Sequence, residues 1–460
     1  MFIGRKQEIK IIKEAIQTPG NNVIVYGNRR IGKTTLINEA MKNCPYIYVT
    51  FECLKSSLKN NIDALCKLLF KIGLIPSYIH FDSLLDLFSY IDDLGKRVVF
   101  LIDEYPYLYY KNDSNTVDSY FQAILDQHSN NINLIFSGSH IGMMKGLLNY
   151  SNPLFGRFNK IIHLKELNYL EASEFYPNLS NYEKVAFYSV FGGSPFILNQ
   201  LKPELGLEEN IYNTFLTNDS PVFLFLSEGF TSDILAKDSS NQIFEAIGNS
   251  RLRYKRIEEK VGYEHNGLLS KQLSLLTEME FIDKNVPINK LNDNKKTTYY
   301  IRNNALRFYF AYVYGYVNFI TVIGYKTYYE RYIKDSIKTF ISYGFENIVK
   351  DYLSLAVRNG LYDGIYNIGT YYYDDQINKE NGEFDVAIAL KEGYDIIEVK
   401  YYSEPISQTL INKESKQIHT IQEIDIKGYG FASINGFKNI SKDYKYLIDG
   451  DTIYFKNKRT

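Results

Sequence analysis

"NNVIVYGNRRIGKTTLINEA", residues 21–40, reads as an apolar run from Val23 to Tyr26, a turn at Gly27 and a helical stretch from Lys33. Strand, loop and helix in that order place G-x-x-x-x-G-K-T on Gly27, Gly32, Lys33 and Thr34. The chemistry asks for these residue types. Glycines let backbone N–H groups close around phosphate oxygens, and the helix N-terminus adds partial positive charge. Lys33 is placed to reach the β- and γ-phosphates and Thr34 to hold Mg²⁺. The whole segment of Gly27, Asn28, Arg29, Arg30, Ile31, Gly32, Lys33, Thr34 and Thr35 is therefore the candidate nucleotide site, with ATP and Mg²⁺ as its ligands.

Further along, "KRVVFLIDEYPYL" (96–108) supplies a second apolar strand ending in Asp103 and Glu104. An acid at the end of a buried strand beside a phosphate loop holds Mg²⁺, which suits Asp103, while Glu104 suits activation of the attacking water. A third strand, "NINLIFSGS" (131–139), ends in polar residues, and Ser137 or Ser139 is the candidate γ-phosphate sensor. Equally open for either serine is a plain strand-end hydrogen bond. Arg157, in "NPLFGRF", is a candidate arginine finger, in cis or across an oligomer interface, or a surface arginine.

The signatures "MFIGRKQEI", "GNRRIGKTT", "LIDE", "SGSHIGMM", "PLFGR" and "FGGSPFIL" together resemble archaeal-type ATPases related to AAA+ and STAND NTPases, over residues 1–235. The resemblance implies an additional-strand P-loop fold, with Arg5 and Pro195 close to the nucleotide and a lid beginning at "GGSP". From the residues alone, Ser194 and Pro195 are equally an N-cap and first position of a helix.

Composition sets the outer limits. With 460 residues, roughly three domains are expected. The formal net charge is −1, so any contact with nucleic acid or membrane must use a local patch and not a global field. Three cysteines (Cys44, Cys53, Cys66), none in a CxxC pair, indicate neither a disulfide framework nor a zinc site and fit a reducing cytoplasm. The charged start predicts no secretory segment. "ALRFYFAYVYGYVNFITVIGY" (305–325) has nearly the length of a span, but Arg307, Asn318 and its tyrosines make it a buried aromatic helical segment and not a membrane helix.

Between 236 and 304, three helical patterns and an alternating, turn-centred stretch resemble a winged helix-turn-helix. Its recognition helix is expected at 268–280, exposing Ser270, Lys271 and Ser274. Arg251, Arg253, Lys255 and Arg256 are candidate DNA-phosphate contacts. A lid or protein-contact role remains the alternative, because Glu258, Glu259 and Glu264 dilute this basic cluster.

At the far end, "GEFDVAIALKEGYDIIEVK" (382–400) predicts a hairpin with Asp385 on one strand and Glu398 and Lys400 on one face of the next. Two carboxylates beside a lysine are the elements of a Mg²⁺ site acting on phosphate, with Glu346 a further ligand from the preceding helix. A charged sheet edge is the alternative. Residues 305–460 resemble the PD-(D/E)xK nuclease-like domain of unknown function found behind archaeal ATPases, although Phe384 replaces the motif's proline. The expectation is an α/β protein in three parts, 1–235, 236–304 and 305–460. It is an ATPase whose nucleotide state controls a DNA-directed, nuclease-like domain, with metal ligands Thr34, Asp103, Glu346, Asp385 and Glu398. The competing class is a STAND-type signalling or scaffold ATPase with an idle C-terminal domain.

Overall fold

The run Val23–Tyr26 is a strand buried at all four positions, β1, and it sits inside a sheet of five parallel strands. The computed structural model describes residues 2–77, 79–127, 131–229, 239–262, 267–375, 379–421, 425–440 and 444–455. With β2 (Ile47–Glu52), β3 (Val98–Asp103), β4 (Ile132–Gly138) and β5 (Lys160–His163), the order across the sheet is β2-β3-β4-β1-β5. Strands with helices on both faces read as unbroken apolar runs, because alternate residues serve opposite faces. Val23, Val25, Val99 and Leu101 pack with helices Lys6–Gln17 and Lys33–Met41. Ile24, Tyr26, Val98, Phe100 and Phe136 pack with Leu58–Lys71, Leu84–Asp93 and Ser114–Gln127 on the other side. The carboxyl ends of β1, β3 and β4 lie side by side, the place where open parallel sheets bind ligands.

The chain divides into two units, Met1–Glu166 and Leu167–Thr460. In the second, one core runs from Leu167 to Ile453, so the expected divisions near 235 and 304 fall within a shared interior. Its first part holds helices Asn181–Phe191, Ser239–Ile247, Tyr254–Val261 and Leu268–Glu278. With them goes a three-stranded antiparallel sheet of β6 (Leu252–Arg253), β8 (Thr298–Ile301) and β7 (Ile282–Asn285), in that order. The loop joining β7 to β8 lies against β9 (Asn367–Asp375). Ile288 N donates to Thr370 O at 2.8 Å, and the Asn289 amide donates to Tyr372 O at 2.7 Å and accepts from Tyr372 N at 3.0 Å.

A second five-stranded sheet follows, ordered β15-β13-β11-β10-β9, from β10 (Glu380–Ala389), β11 (Tyr394–Lys400), β13 (Ile426–Ser433) and β15 (Tyr446–Asp449). The short pair β12 (Ile406–Ser407) and β14 (Phe437–Lys438) stands apart. β10 and β11 form the expected hairpin, turned by Gly393 at φ 81°. The long helix Ile337–Arg358 packs against β9, β10 and β11.

The aromatic segment 305–325, expected to be helical and buried, holds two helices that differ in burial. Asn304–Tyr312 is nearly wholly buried, but a turn with Gly315 at φ 80° redirects the chain, and Val317–Ile323 leaves Phe319 and Val322 exposed. Among the described residues no helix is long and apolar enough to cross a membrane.

Candidate functional site

Backbone geometry prepares the phosphate loop. Gly27 has φ 152° and Gly32 φ 88°, and a side chain at Gly27 would collide with the Leu164 carbonyl. Ile31 plugs into the core beneath, which anchors the loop while Arg30 and Thr35 stay exposed. Gly32 caps the helix Lys33–Met41, whose first N–H groups face the loop.

Lys33 is buried at 5% exposure, and its Nζ donates to Gly27 O (3.0 Å), Asn28 O (3.1 Å) and Ser139 Oγ (2.8 Å). Burial pulls its pKa down while Glu104 and Asp103 pull it up, with a net lowering. The Thr34 hydroxyl donates to Asp103 Oδ2 at 2.6 Å, so two oxygen donors meet at one point. Glu104 sits at φ 50°, a left-handed conformation that non-glycine residues seldom adopt, just past the end of β3. Its carboxylate accepts from Ser139 Oγ and from Ser139 N at 3.1 Å. Ser139 thus links Lys33 to Glu104. Arg29 donates to the Tyr107 hydroxyl at 2.6 Å, a partner no motif announced.

The alternatives left open by sequence separate here. Ser137 is fully buried within β4 and its hydroxyl finds no hydrogen-bond partner, whereas Ser139, one residue past the strand, joins the cluster. Arg157 is paired with Asp126 through two contacts of 2.8 Å and with Pro153 O, which accounts for its guanidinium without the phosphate loop. Arg5 is buried in a left-handed conformation, bound to Lys165 O and to Glu8 at 3.7 Å. Pro195 belongs to the second unit, as the first residue of the short helix Pro195–Leu198.

In the second unit, Asp385 lies in a β-bulge between Phe384 and Ala387, a device that re-aims a side chain. The groups around it arrange themselves differently from a set of ligands about a cation. Arg251, expected to contact DNA phosphate, instead bonds Glu346 Oε2 at 3.0 Å, Asn347 at 3.4 Å and Asp385 Oδ1 at 3.5 Å. Lys400 bonds Glu398 at 2.8 Å and Glu414 at 3.0 Å. Among the described residues, no three His, Cys, Asp or Glu side chains gather as a metal-binding group. Burial, then Asp385, pushes the Glu346 carboxyl up to about 7 against the pull of Arg251 and Lys350. Burial, then Arg251, pulls Lys350 down to about 8. Burial also raises Glu398. For Lys400 burial acts downward, but Glu398 and Glu414 outweigh it and the net shift is upward. Lys350 was findable in the sequence, four residues after Glu346 on the same helix face.

Of the other basic candidates, Arg253 stacks over Tyr372 with its guanidinium 5.7 Å from the ring centre, and Arg256 pairs with Glu259 at 2.8 Å. Ser270, Lys271 and Ser274 are exposed on the helix Leu268–Glu278 as expected, beside exposed Leu268 and Leu275.

Residues 2–201 match the model of an ATPase domain predominantly from Archaea, and residues 309–418 match that of archaeal and bacterial proteins of unknown function. The second interval contains Glu346, Asp385, Glu398, Lys400 and Glu414. An uncharacterized protein of Methanocaldococcus jannaschii is 29% identical over 384 residues, 81% of this chain and 82% of its own. Among solved structures, the Walker-type ATPase of Pyrococcus abyssi aligns with a TM-score of 0.50 at 16% identity. That alignment covers 67% of this chain and 96% of the other, a likeness of fold. The ORC2 protein of Aeropyrum pernix aligns at 12% identity and a TM-score of 0.47, over 70% and 95% of the two chains.

Proposed function

Because this chain carries an archaeal-type ATPase domain followed by a C-terminal domain of the archaeal and bacterial family of unknown function, we propose that it is a nucleotide-driven switch acting on DNA. The ATPase binds and hydrolyses ATP. The observation that carries it is the Lys33–Ser139–Glu104 chain beside the Thr34–Asp103 pair. Lys33 exchanges its loop carbonyls for β- and γ-phosphate oxygens, and Ser139 reports that exchange to Glu104, the base that orients the attacking water. Thr34 and Asp103 present hard oxygens at one point and fit Mg²⁺, which when bound supplies charge neutralisation at the phosphates.

Residues 236–304 are read as a winged helix and 305–460 as an endonuclease-like domain. The β6-β8-β7 sheet beside three helices supports the first, and the hairpin bearing Asp385, Glu398 and Lys400 with its flanking long helix supports the second. Lys255 and Lys271 are the remaining phosphate contacts, because Arg251, Arg253 and Arg256 are engaged within the chain. Exposed Leu268 and Leu275 on the proposed recognition helix favour the second reading, a signalling or scaffold ATPase that grips protein there. A mobility-shift titration of supercoiled DNA with the full chain, with and without ATP and over rising salt, decides between them. ATP-dependent, salt-sensitive retention supports the DNA switch, and no retention at low salt leaves the scaffold.

A further inference from the structure

The carboxylates of the C-terminal hairpin do not fit a divalent cation as they stand. Glu346 and Asp385 come from different elements, a helix and a bulged strand, and what joins them is the Arg251 guanidinium, 3.0 Å from one and 3.5 Å from the other. We propose that Arg251 is the resident cation of this cluster, an internal latch that holds Glu346 and Asp385 and that a divalent metal must displace. The inference rests on the endonuclease-like reading of residues 305–460 only for the use to which an opened site is put.

Three observations converge on it. Arg251 is 14% exposed and Glu346 10% exposed at the side chain, so their pairing is shielded from solvent and cannot be dismissed as a surface contact. Arg251 immediately precedes β6, the first strand of the proposed winged helix, and so belongs to the segment expected to meet phosphate. The same bond also ties that segment to the helix Ile337–Arg358 and to β10. On the neighbouring strand, Lys400 already bonds Glu398 and Glu414, which makes each of Glu346, Asp385 and Glu398 a partner of a side-chain cation. A guanidinium has its five donors fixed in one plane and is well suited to bridging two carboxylates, but it binds phosphate equally well. A phosphodiester that draws Arg251 away therefore frees the two oxygen donors at the moment substrate arrives.

Competition predicts a gain of binding when a native residue is removed, the opposite of what loss of a structural ion pair gives. Mn²⁺ bound by the full, nucleotide-free chain is counted by electron paramagnetic resonance for wild type, Arg251→Gln, Arg251→Lys and Arg251→Gln/Asp385→Asn. Gln removes the charge while keeping a polar side chain, and melting curves confirm that each protein is folded. The expected result is one added Mn²⁺ site in Arg251→Gln, at least about tenfold tighter than any in wild type, absent from Arg251→Lys and lost with Asp385→Asn. Wild-type Mn²⁺ binding that already depends on Asp385, or no added site in folded Arg251→Gln, overturns the latch. Plasmid nicking by Arg251→Gln is a separate readout. An added Mn²⁺ site without nicking leaves the latch standing and removes the nuclease reading.

Discussion

The two charged clusters of this protein handle their charges in opposite ways. In the phosphate loop, Lys33 donates to two carbonyls and a hydroxyl, while Asp103 and Glu104 accept from Thr34 and Ser139. Opposite charges stand close enough to feel one another without bonding directly. In the C-terminal cluster the cations are spent on the anions, Arg251 on Glu346 and Asp385, Lys400 on Glu398 and Glu414. Neutral dipoles release a charged group at little cost when a polyanion arrives, whereas a shielded ion pair must be broken first. The first cluster is thus ready for its ligand, and the second is closed on itself.

The largest effect that tests this contrast is catalytic. Glu104→Gln keeps ATP affinity but lowers kcat by about 10²–10⁴-fold, measured as steady-state phosphate release. Next comes the cost of opening the closed cluster. Arg251→Ala destabilises the chain by about 3 kcal/mol at alkaline pH, because it strands the Glu346 carboxylate, and by less in acid, where that carboxyl protonates. Thermal melts across pH read it out, and an unchanged melting temperature would erase the distinction between the clusters.

The Glu346 carboxyl gives the third test. Its folded pKa of about 7 lies above the unfolded value of 4.5, so the native state binds the proton more tightly. Stability from this group is full below the unfolded value and is lost as pH rises through about 7. Glu346→Gln, which resembles the protonated form, gains on wild type by up to about 3 kcal/mol between acid and alkaline pH. A pH-independent difference between their melting temperatures would refute it. Lys33→Ala loses about 1.5–3 kcal/mol of ATP binding by calorimetry. The smallest effect separates two serines. Ser137→Ala removes a buried hydroxyl that has no partner, so it leaves stability unchanged or raised and turnover intact, while Ser139→Ala slows hydrolysis.

The parts of this molecule that sequence revealed are those whose partners are near in the chain. Gly27 to Thr34 form one continuous loop, so strand, turn and helix could be read together, and the Asp385–Lys400 hairpin is equally local. The choice between Ser137 and Ser139 turned on where β4 ends, and a boundary error of one residue moves a side chain from the core to the site. Arg251 meets Glu346 across 95 residues of chain, and no periodicity encodes that meeting. Its neighbours Arg253, Lys255 and Arg256 suggest a shared surface role, and nothing local announces that Arg251 lies beside two carboxylates. The pairing of Arg157 with Asp126 is hidden for a related reason, since Asp126 lies on a helix that no motif connects to it.

The loop between β7 and β8 has a consequence for how the protein keeps to itself. Among the described residues strand β9 has a strand neighbour, β10, on one side only, and the loop occupies Thr370 O and both backbone groups of Tyr372 on the other. A bare strand margin is a template for a foreign strand. Displacing this loop would therefore strip the guard from β9. Turbidity that climbs in Asn289→Ala, which loses both hydrogen bonds to Tyr372, would be the outward sign of that exposure.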